Sequence, residues 1–468
     1  MPKPPQPAPA SKPTALPNSA SSRGSGASTP PSAARSVKNR TGCEQCKRRK
    51  VKCDEKRPTC ARCEARGETC TGNFQCDQWQ IERPWIVGLG AAASGLENDA
   101  LRYWYDSACL TMAMFPPPVN SLSYPLVSLL RRSKALRHVV QCVAVAHRHD
   151  FAVTSLSHAL QERNLAIVSL QGEHSRNQQM LLRTVILSSL ILCVSSAWLD
   201  PTGKEFGIEF LFGVKGIIHL LTDTAPTDPF AFYVMGLFLY LEVFSSYLVP
   251  ATLQRRPSDR IVTALSQPPF NTLVHPVTGI ATTLCPILTD IGHYYRRVAE
   301  TKQPCIERDR ELRRRLWEWE PPEGSSQLAQ LVQLAEGYRT IGDIMLYQAR
   351  GVVAKLDAID SRMLLERVST VMETIRHIPK QDALLNWVGP LLMIAGSELP
   401  ADRCHDRRLV EISSSRLVSF TKVPTYARSF ELIKQVWELH DNGVLITWLE
   451  LMVESGLSLA VYNSIYSV

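Results

Sequence analysis

Residues 43–70 read CEQCKRRKVKCDEKRPTCARCEARGETC, and the spacing of Cys43, Cys46, Cys53, Cys60, Cys63 and Cys70 is C-x2-C-x6-C-x6-C-x2-C-x6-C. A C-x2-C pair lets two thiolates grip one tetrahedral ion from a single turn of backbone, and thiolate is a soft ligand that suits zinc. The stretch is an internal duplication, CEQCKRRKVKC followed by CARCEARGETC, with a short helix expected between the second and third cysteine of each half. Each half supplies three thiolates, whereas a closed tetrahedral zinc needs four. Six thiolates complete two ions only if two of them bridge both metals, so the expected site is a binuclear cluster.

The halves differ in charge. Lys47, Arg48, Arg49, Lys50 and Lys52 lie between Cys46 and Cys53, while the second half mixes Glu64 and Glu68 with Arg66. The first half is therefore expected to face DNA. The pattern resembles the fungal Zn₂Cys₆ zinc-cluster family, whose spacing rules all five gaps satisfy. In that family the first and fourth cysteines bridge, so the resemblance assigns one Zn²⁺ to Cys43, Cys46, Cys53 and Cys60 and a second to Cys43, Cys60, Cys63 and Cys70. It also puts the base-reading residues at Arg49 and Lys50, where the first helix ends in the major groove, and implies a CGG-type triplet as target. Guanine offers N7 and O6 side by side, which an Arg fork or a Lys ammonium can bond. Lys47, Arg48 and Lys52 then take the role of phosphate contacts. Pro58 matches a proline that shapes the loop between the halves in relatives.

Charge divides the chain in the same way. Residues 35–72 carry a formal +7 and residues 1–34 add +3, yet the whole chain is only +8, so residues 73–468 are slightly acidic. Basicity is confined to one end, as phosphate neutralisation requires. Disulfides would need an oxidising compartment, and residues 1–40 contain no apolar run of a signal peptide. A redox C-x-x-C would sit beside a βαβ pattern, which is absent.

Residues 1–40 are rich in Pro, Ser and Ala, contain no acidic residue and hold almost no large apolar side chain, so a disordered tail is expected. Its basic end, running from Lys38 and Arg40 into KRRKVK, suits a nuclear import signal. The cluster domain is placed at residues 41–72 and a linker at 73–98. Phe74, Trp79, Ile81 and Trp85 keep no heptad period and Pro84 interrupts them, so no local coiled coil is expected. Binding is then monomeric, or a homodimer forms through the larger domain. Gly88, Gly90 and Ala93 match G-x-G-x-x-A, but the βαβ unit of a dinucleotide site does not follow. Cys76 has no partner and is left outside the cluster.

Residues 99–468 show helical periodicity nearly throughout. Leu136, Val139, Val140, Val143, Ala144 and His147 mark an amphipathic helix with one buried face, and similar stripes cover Leu181–Leu199, Leu328–Tyr347 and Met363–Ile378. The fold class expected is mainly α: a small two-zinc module followed by a large all-α domain. The run Phe230–Val249 has the length of a membrane span, but Glu242 would be costly in lipid, so a buried core helix and no membrane partner are expected. LRYWYDSACLTMAMF, ALRHVVQCVAVAHRHD, GIEFLFGVKGIIHLL and LLNWVGPLLMIAGSEL resemble the fungal-specific transcription factor domain in its second common variant. That likeness implies a helical regulatory domain and no catalysis.

Other candidate groups read blandly. His147, His149 and Asp150 point to different faces and read as surface polar residues; His138 and Cys142 lack a third ligand. Cys109, Cys142, Cys193, Cys285, Cys305 and Cys404 read as buried small side chains. No G-x-S-x-G, H-E-x-x-H or P-loop occurs, so no enzyme is expected. The leading reading is a nuclear, sequence-specific transcription regulator that binds double-stranded DNA through zinc and contacts the transcription machinery. The alternative is a zinc module used for chromatin anchoring or protein contacts, beside a ligand-sensing or enzymatic helical domain.

Overall fold

The structure, a computed structural model, describes residues 43–54, 60–68, 70, 99–116, 120–148, 153–173, 178–199, 207–222, 228–255, 258–325, 328–378 and 383–455. The tail, the residues 73–98 with Pro84 and the G-x-G-x-x-A match, Pro58, Cys76, His149 and Asp150 lie outside the described residues. The chain divides into two compact units, Met1–Gln80 and Ile81–Val468.

The small unit holds two short helices, α1 (Glu44–Arg48) and α2 (Ala61–Glu64). Each begins directly after the first cysteine of its half and carries the second one, whereas the sequence suggested a helix between the second and third. The difference follows from the C-x2-C pair itself, because a helical turn starting at the first cysteine brings two thiols together. Cys43 caps α1, its Sγ accepting the Cys46 N–H at 3.4 Å. Both helices close in the same turn. After α1, Lys50 takes φ 56° and the Val51 N–H reaches the Cys46 carbonyl at 3.0 Å; after α2, Gly67 takes φ 62° and the Glu68 N–H reaches the Cys63 carbonyl at 3.1 Å. The duplication seen in sequence is thus a duplication in backbone, with a lysine in the left-handed position that glycine fills in the second half.

The large unit runs α3 (Asp99–Asp106), α4 (Val127–Leu130), α5 (Lys134–Arg148), α6 (Val153–Glu173), α7 (Gln178–Leu199), α8 (Ile208–Ile217), α9 (Pro229–Leu248), α10 (Asp259–Leu265), α11 (Cys285–Thr301), α12 (Ile306–Glu318), α13 (Ala329–Gly351), α14 (Ala358–His377), α15 (Gly389–Gly396), α16 (Cys404–Thr421), α17 (Pro424–Asp441) and α18 (Trp448–Glu454). Among the described residues no strand occurs beyond one isolated bridge, His275 to Gly279. The class is mainly α, as the periodicity predicts.

The long apolar run becomes α9, a core helix that packs on α7, α8 and α11. Asp228 caps it by accepting the Phe230 N–H at 3.0 Å, and Pro229 fits the first turn, where no N–H is needed. Glu242 is 1% exposed, and Lys215 of α8 meets it at 2.5 Å. Burial pushes its carboxyl above the usual range, and the ammonium opposes that shift. α11 approaches α9 closely because Gly292 has no side chain: a Cβ there would meet Ser246 Oγ at 1.9 Å. His275 fills a second gap, since a Cβ on Gly236 would meet its ring at 2.0 Å. Its Nε2 donates to the Phe232 carbonyl at 2.8 Å and its Nδ1 accepts the Val277 N–H at 3.0 Å, which fixes one neutral tautomer. Burial lowers its pKa to about 4.

Three expectations need correction. The α5 stripe is buried, but so are Cys142, Val145 and Ala146, because α3, α6 and α7 all pack against this helix. His147 is buried rather than on the surface, and its Nδ1 lies 2.9 Å from the Tyr103 hydroxyl. Cys404 is exposed at the start of α16 and Cys305 is half-buried, while Cys109, Cys142, Cys193 and Cys285 are buried as expected. His138 bonds Glu162 at 2.7 Å, a pairing made by the α5–α6 contact that spacing along one helix does not reveal.

Candidate metal centre and nucleic-acid interface

Two overlapping groups of sulfur atoms form in the small unit. The Sγ atoms of Cys43, Cys46, Cys53 and Cys60 lie within 4.8 Å of one another, and so do those of Cys43, Cys60, Cys63 and Cys70. Cys43 and Cys60 are common to both. The Cys43–Cys60 and Cys46–Cys60 sulfurs are 3.8 Å apart and the Cys43–Cys63 sulfurs 3.7 Å. Zinc–thiolate bonds of ~2.3 Å at tetrahedral angles put two ligand sulfurs about 3.8 Å apart. The donor set fits zinc in kind and in spacing. Burial, and then the thiols of Cys43, Cys60 and Cys53, push the Cys46 thiol up to about 12. A bound divalent cation would take the place of that proton.

The Asp54 carboxylate ties the halves together by accepting the Ala61 N–H at 3.1 Å, at the start of α2. Arg49 makes a second tie, to a residue that sequence reasoning did not place in the site. Its guanidinium donates to Glu68 at 3.2 Å and to the Cys63 sulfur at 3.4 Å, and its Nε donates to the Gln45 carbonyl at 3.1 Å. The opposite charges of Arg49 and Glu68 are visible in the sequence, but their meeting depends on the fold of both halves.

The remaining basic residues behave differently. Lys47, Arg48, Lys50 and Lys52 are exposed and have no carboxylate partner among the described residues. Lys50 lies in the turn that ends α1. Left-handed backbone costs a non-glycine residue about 1–2 kcal/mol. Lys302 and Lys422 adopt the same conformation at the ends of α11 and α16, so the conformation alone does not mark a site. At position 50 it leaves an exposed cation near three others, without a carboxylate partner among the described residues. The surface can hold an anionic polymer, since its charge meets no carboxylate among the described residues.

The family of the fungal Zn(2)-Cys(6) binuclear cluster domain matches residues 41–80, and that of the fungal specific transcription factor domain matches residues 100–462. The chain is 29% identical over 153 residues to the Zn(2)-C6 fungal-type transcription factor afumD of Aspergillus fumigatus, a match covering 28% of this chain and 40% of that relative. No solved structure matches the chain. With sulfur groups spaced for zinc at one end and a helical domain filling the rest, the chain belongs to the fungal transcription factors that join a Zn(2)-Cys(6) cluster to a fungal-specific domain.

Proposed function

We propose that this protein is a nuclear regulator of RNA polymerase II transcription that reads CGG-type triplets through a cluster of two zinc ions. Cys43, Cys46, Cys53 and Cys60 would hold one ion and Cys43, Cys60, Cys63 and Cys70 the other, with Cys43 and Cys60 bridging. Bound zinc supplies the rigid, charge-neutralising anchor that a chain segment this short cannot build from apolar side chains. The domain limits follow as residues 41–72 for the cluster, 73–98 for the linker and 99–468 for the regulatory part, which would carry any homodimer contact and the contacts to the transcription machinery.

The observation that supports the reading is the split among the basic residues: Arg49 is bonded inward, while Lys47, Arg48, Lys50 and Lys52 are exposed with no carboxylate partner among the described residues. The family resemblance puts both Arg49 and Lys50 at the bases. The bonds of Arg49 to Glu68 and Cys63 favour a division in which Lys50 donates to guanine N7 and O6, while Arg49 braces the two halves and so fixes where Lys50 stands. Lys47, Arg48 and Lys52 would contact phosphates and set affinity without sequence preference.

A random-sequence DNA selection with the zinc-loaded chain at a stated salt concentration tests this. CGG-type triplets should be enriched. Lys50→Ala should cost about 1–3 kcal/mol and relax the preference at one base pair. Arg49→Ala and Glu68→Gln should instead weaken binding to all sequences alike and loosen zinc. Base-specific relaxation in Arg49→Ala with zinc affinity intact would return Arg49 to the bases, and no enrichment at all would remove the DNA-reading proposal.

A further inference from the structure

We infer that Ser258 is a substrate for an arginine-directed protein kinase and that the phosphate it receives is held by a basic cleft of the helical domain. Residues 255–258 read Arg-Arg-Pro-Ser, so arginines precede the hydroxyl by three and two positions. Kinases choose substrates by such charge patterns. The Arg-x-x-Ser/Thr spacing recurs among the described residues at Thr263, Thr370 and Ser419, but these lie inside α10, α14 and α16. Thr370 and Ser419 also donate to the carbonyls of Glu366 and Ser415, at 3.0 and 2.9 Å. Ser258 is exposed in extended backbone, with φ −68° and ψ 149°, and its hydroxyl caps nothing. Of the four, it alone can be placed in line with a bound nucleotide without unwinding a helix.

The phosphoryl donor is ATP. Ser258 Oγ attacks the γ-phosphorus, the new O–P bond replaces the bond to the bridging oxygen of the β-phosphate, ADP leaves, and the hydroxyl proton passes to the base of the kinase. The product carries close to two negative charges. A counterpart begins three residues away, in a cleft of about 190 Å³ lined by Arg255, Asp290, His293, Arg297 and Arg308. Asp290 already pairs with Arg308 at 3.5 Å and with Arg315 at 2.6 Å. Arg255 and Arg297 are exposed and have no carboxylate partner among the described residues. Three residues span at most about 10 Å, so a phosphate on Ser258 stays within reach of Arg255, and two guanidiniums match its charge. Arg297 belongs to α11, which packs on the core helix α9 and on α18, so a phosphate bonded there would tie the chain before α10 to the core.

The test incubates the full zinc-loaded chain with the catalytic subunit of cyclic-AMP-dependent protein kinase and Mg-ATP and maps the phosphate by peptide mass spectrometry. Ser258 should be modified to near completion. Arg255→Gln should slow that step by about tenfold or more, the loss of one charge-assisted bond. Ser258→Ala, at an exposed position, should remove this phosphate and leave the melting temperature unchanged. Phosphorus NMR of the modified protein then reads the cleft. The second ionisation of the phosphate should fall below its usual value of about 6. Arg297→Gln, which leaves the kinase motif intact, should restore it. An unmodified Ser258, or an equal rate in Arg255→Gln, would overturn the kinase site, and an ionisation that Arg297→Gln does not move would overturn the role of the cleft.

Discussion

The two units of this chain keep their folding energy in different places. Among the described residues of the small unit the buried apolar cluster consists of cysteines alone, Cys43, Cys46, Cys53, Cys60 and Cys63 with Cys70 against them, and Val51 is left 39% exposed. The large unit buries one continuous core that includes Trp104, Tyr233, Phe238, Tyr295 and Trp448. Ordering a residue costs about 1–2 kcal/mol in backbone entropy alone, which a segment of this length cannot offset by apolar burial. The first unit must draw its stability from metal, and the second from packing.

Withdrawing metal should separate them most sharply. A chelator strong enough to strip zinc should unfold the small unit and abolish DNA binding, since structural zinc contributes about 10–16 kcal/mol. The calorimetric transition of the helical unit should stay where it was. Cys43→Ala should act like the chelator, and a folded Cys43→Ala protein that still holds two ions would break the distinction and the bridging role together.

The reverse lesion lies in the α8–α9 contact. Lys215→Met leaves Glu242 buried without its counter-charge and should destabilise the helical unit by about 3–5 kcal/mol at neutral pH, read by urea unfolding, with zinc content unchanged. Because burial raises the Glu242 pKa, the folded state holds a proton that the unfolded state has lost, so part of the deficit should return as pH falls toward the carboxylate range. The double variant with Glu242→Met should recover most of the loss.

His275 gives an effect of similar or smaller size and opposite sign. Its pKa is lowered to about 4, so between pH 6.5 and 4 the unfolded chain binds a proton that the folded chain refuses. Protonation would also turn Nδ1 into a donor facing the Val277 N–H. The helical unit should lose about 3 kcal/mol as pH falls across that window, and His275→Gln should flatten the profile there.

The smallest effect concerns the helix ends. Lys50→Gly, Lys302→Gly and Lys422→Gly should each gain about 1 kcal/mol by relieving left-handed backbone, and only the first should lower DNA affinity.

Much of the metal centre was legible in the sequence because tetrahedral sulfur geometry imposes fixed spacings on a short segment. The helical class was legible from periodicity, and α9 from its length and its single charge. What stayed hidden depends on distant partners. Glu68 finds Arg49 across 19 residues, His147 is buried by Tyr103 across 44, and Trp387 joins Trp448 at one cavity only through the packing of several helices. Spacing within one element carries no trace of such meetings. Cys404 was misread for the opposite reason, since scattered cysteines invite a buried reading that a helix start at the surface denies.

The cysteine-only core has a consequence for how such a regulator can change over time. Lys47, Arg48, Lys50 and Lys52 are exposed, so on the proposed reading replacing one would alter recognition while leaving the cysteine scaffold in place. In the helical unit a change at Gly292 or Gly236 forces α9 and its neighbours to shift. On that reading new DNA preferences would be open to single substitutions in one unit, whereas at the close approaches of α9 in the other a change calls for a compensating one.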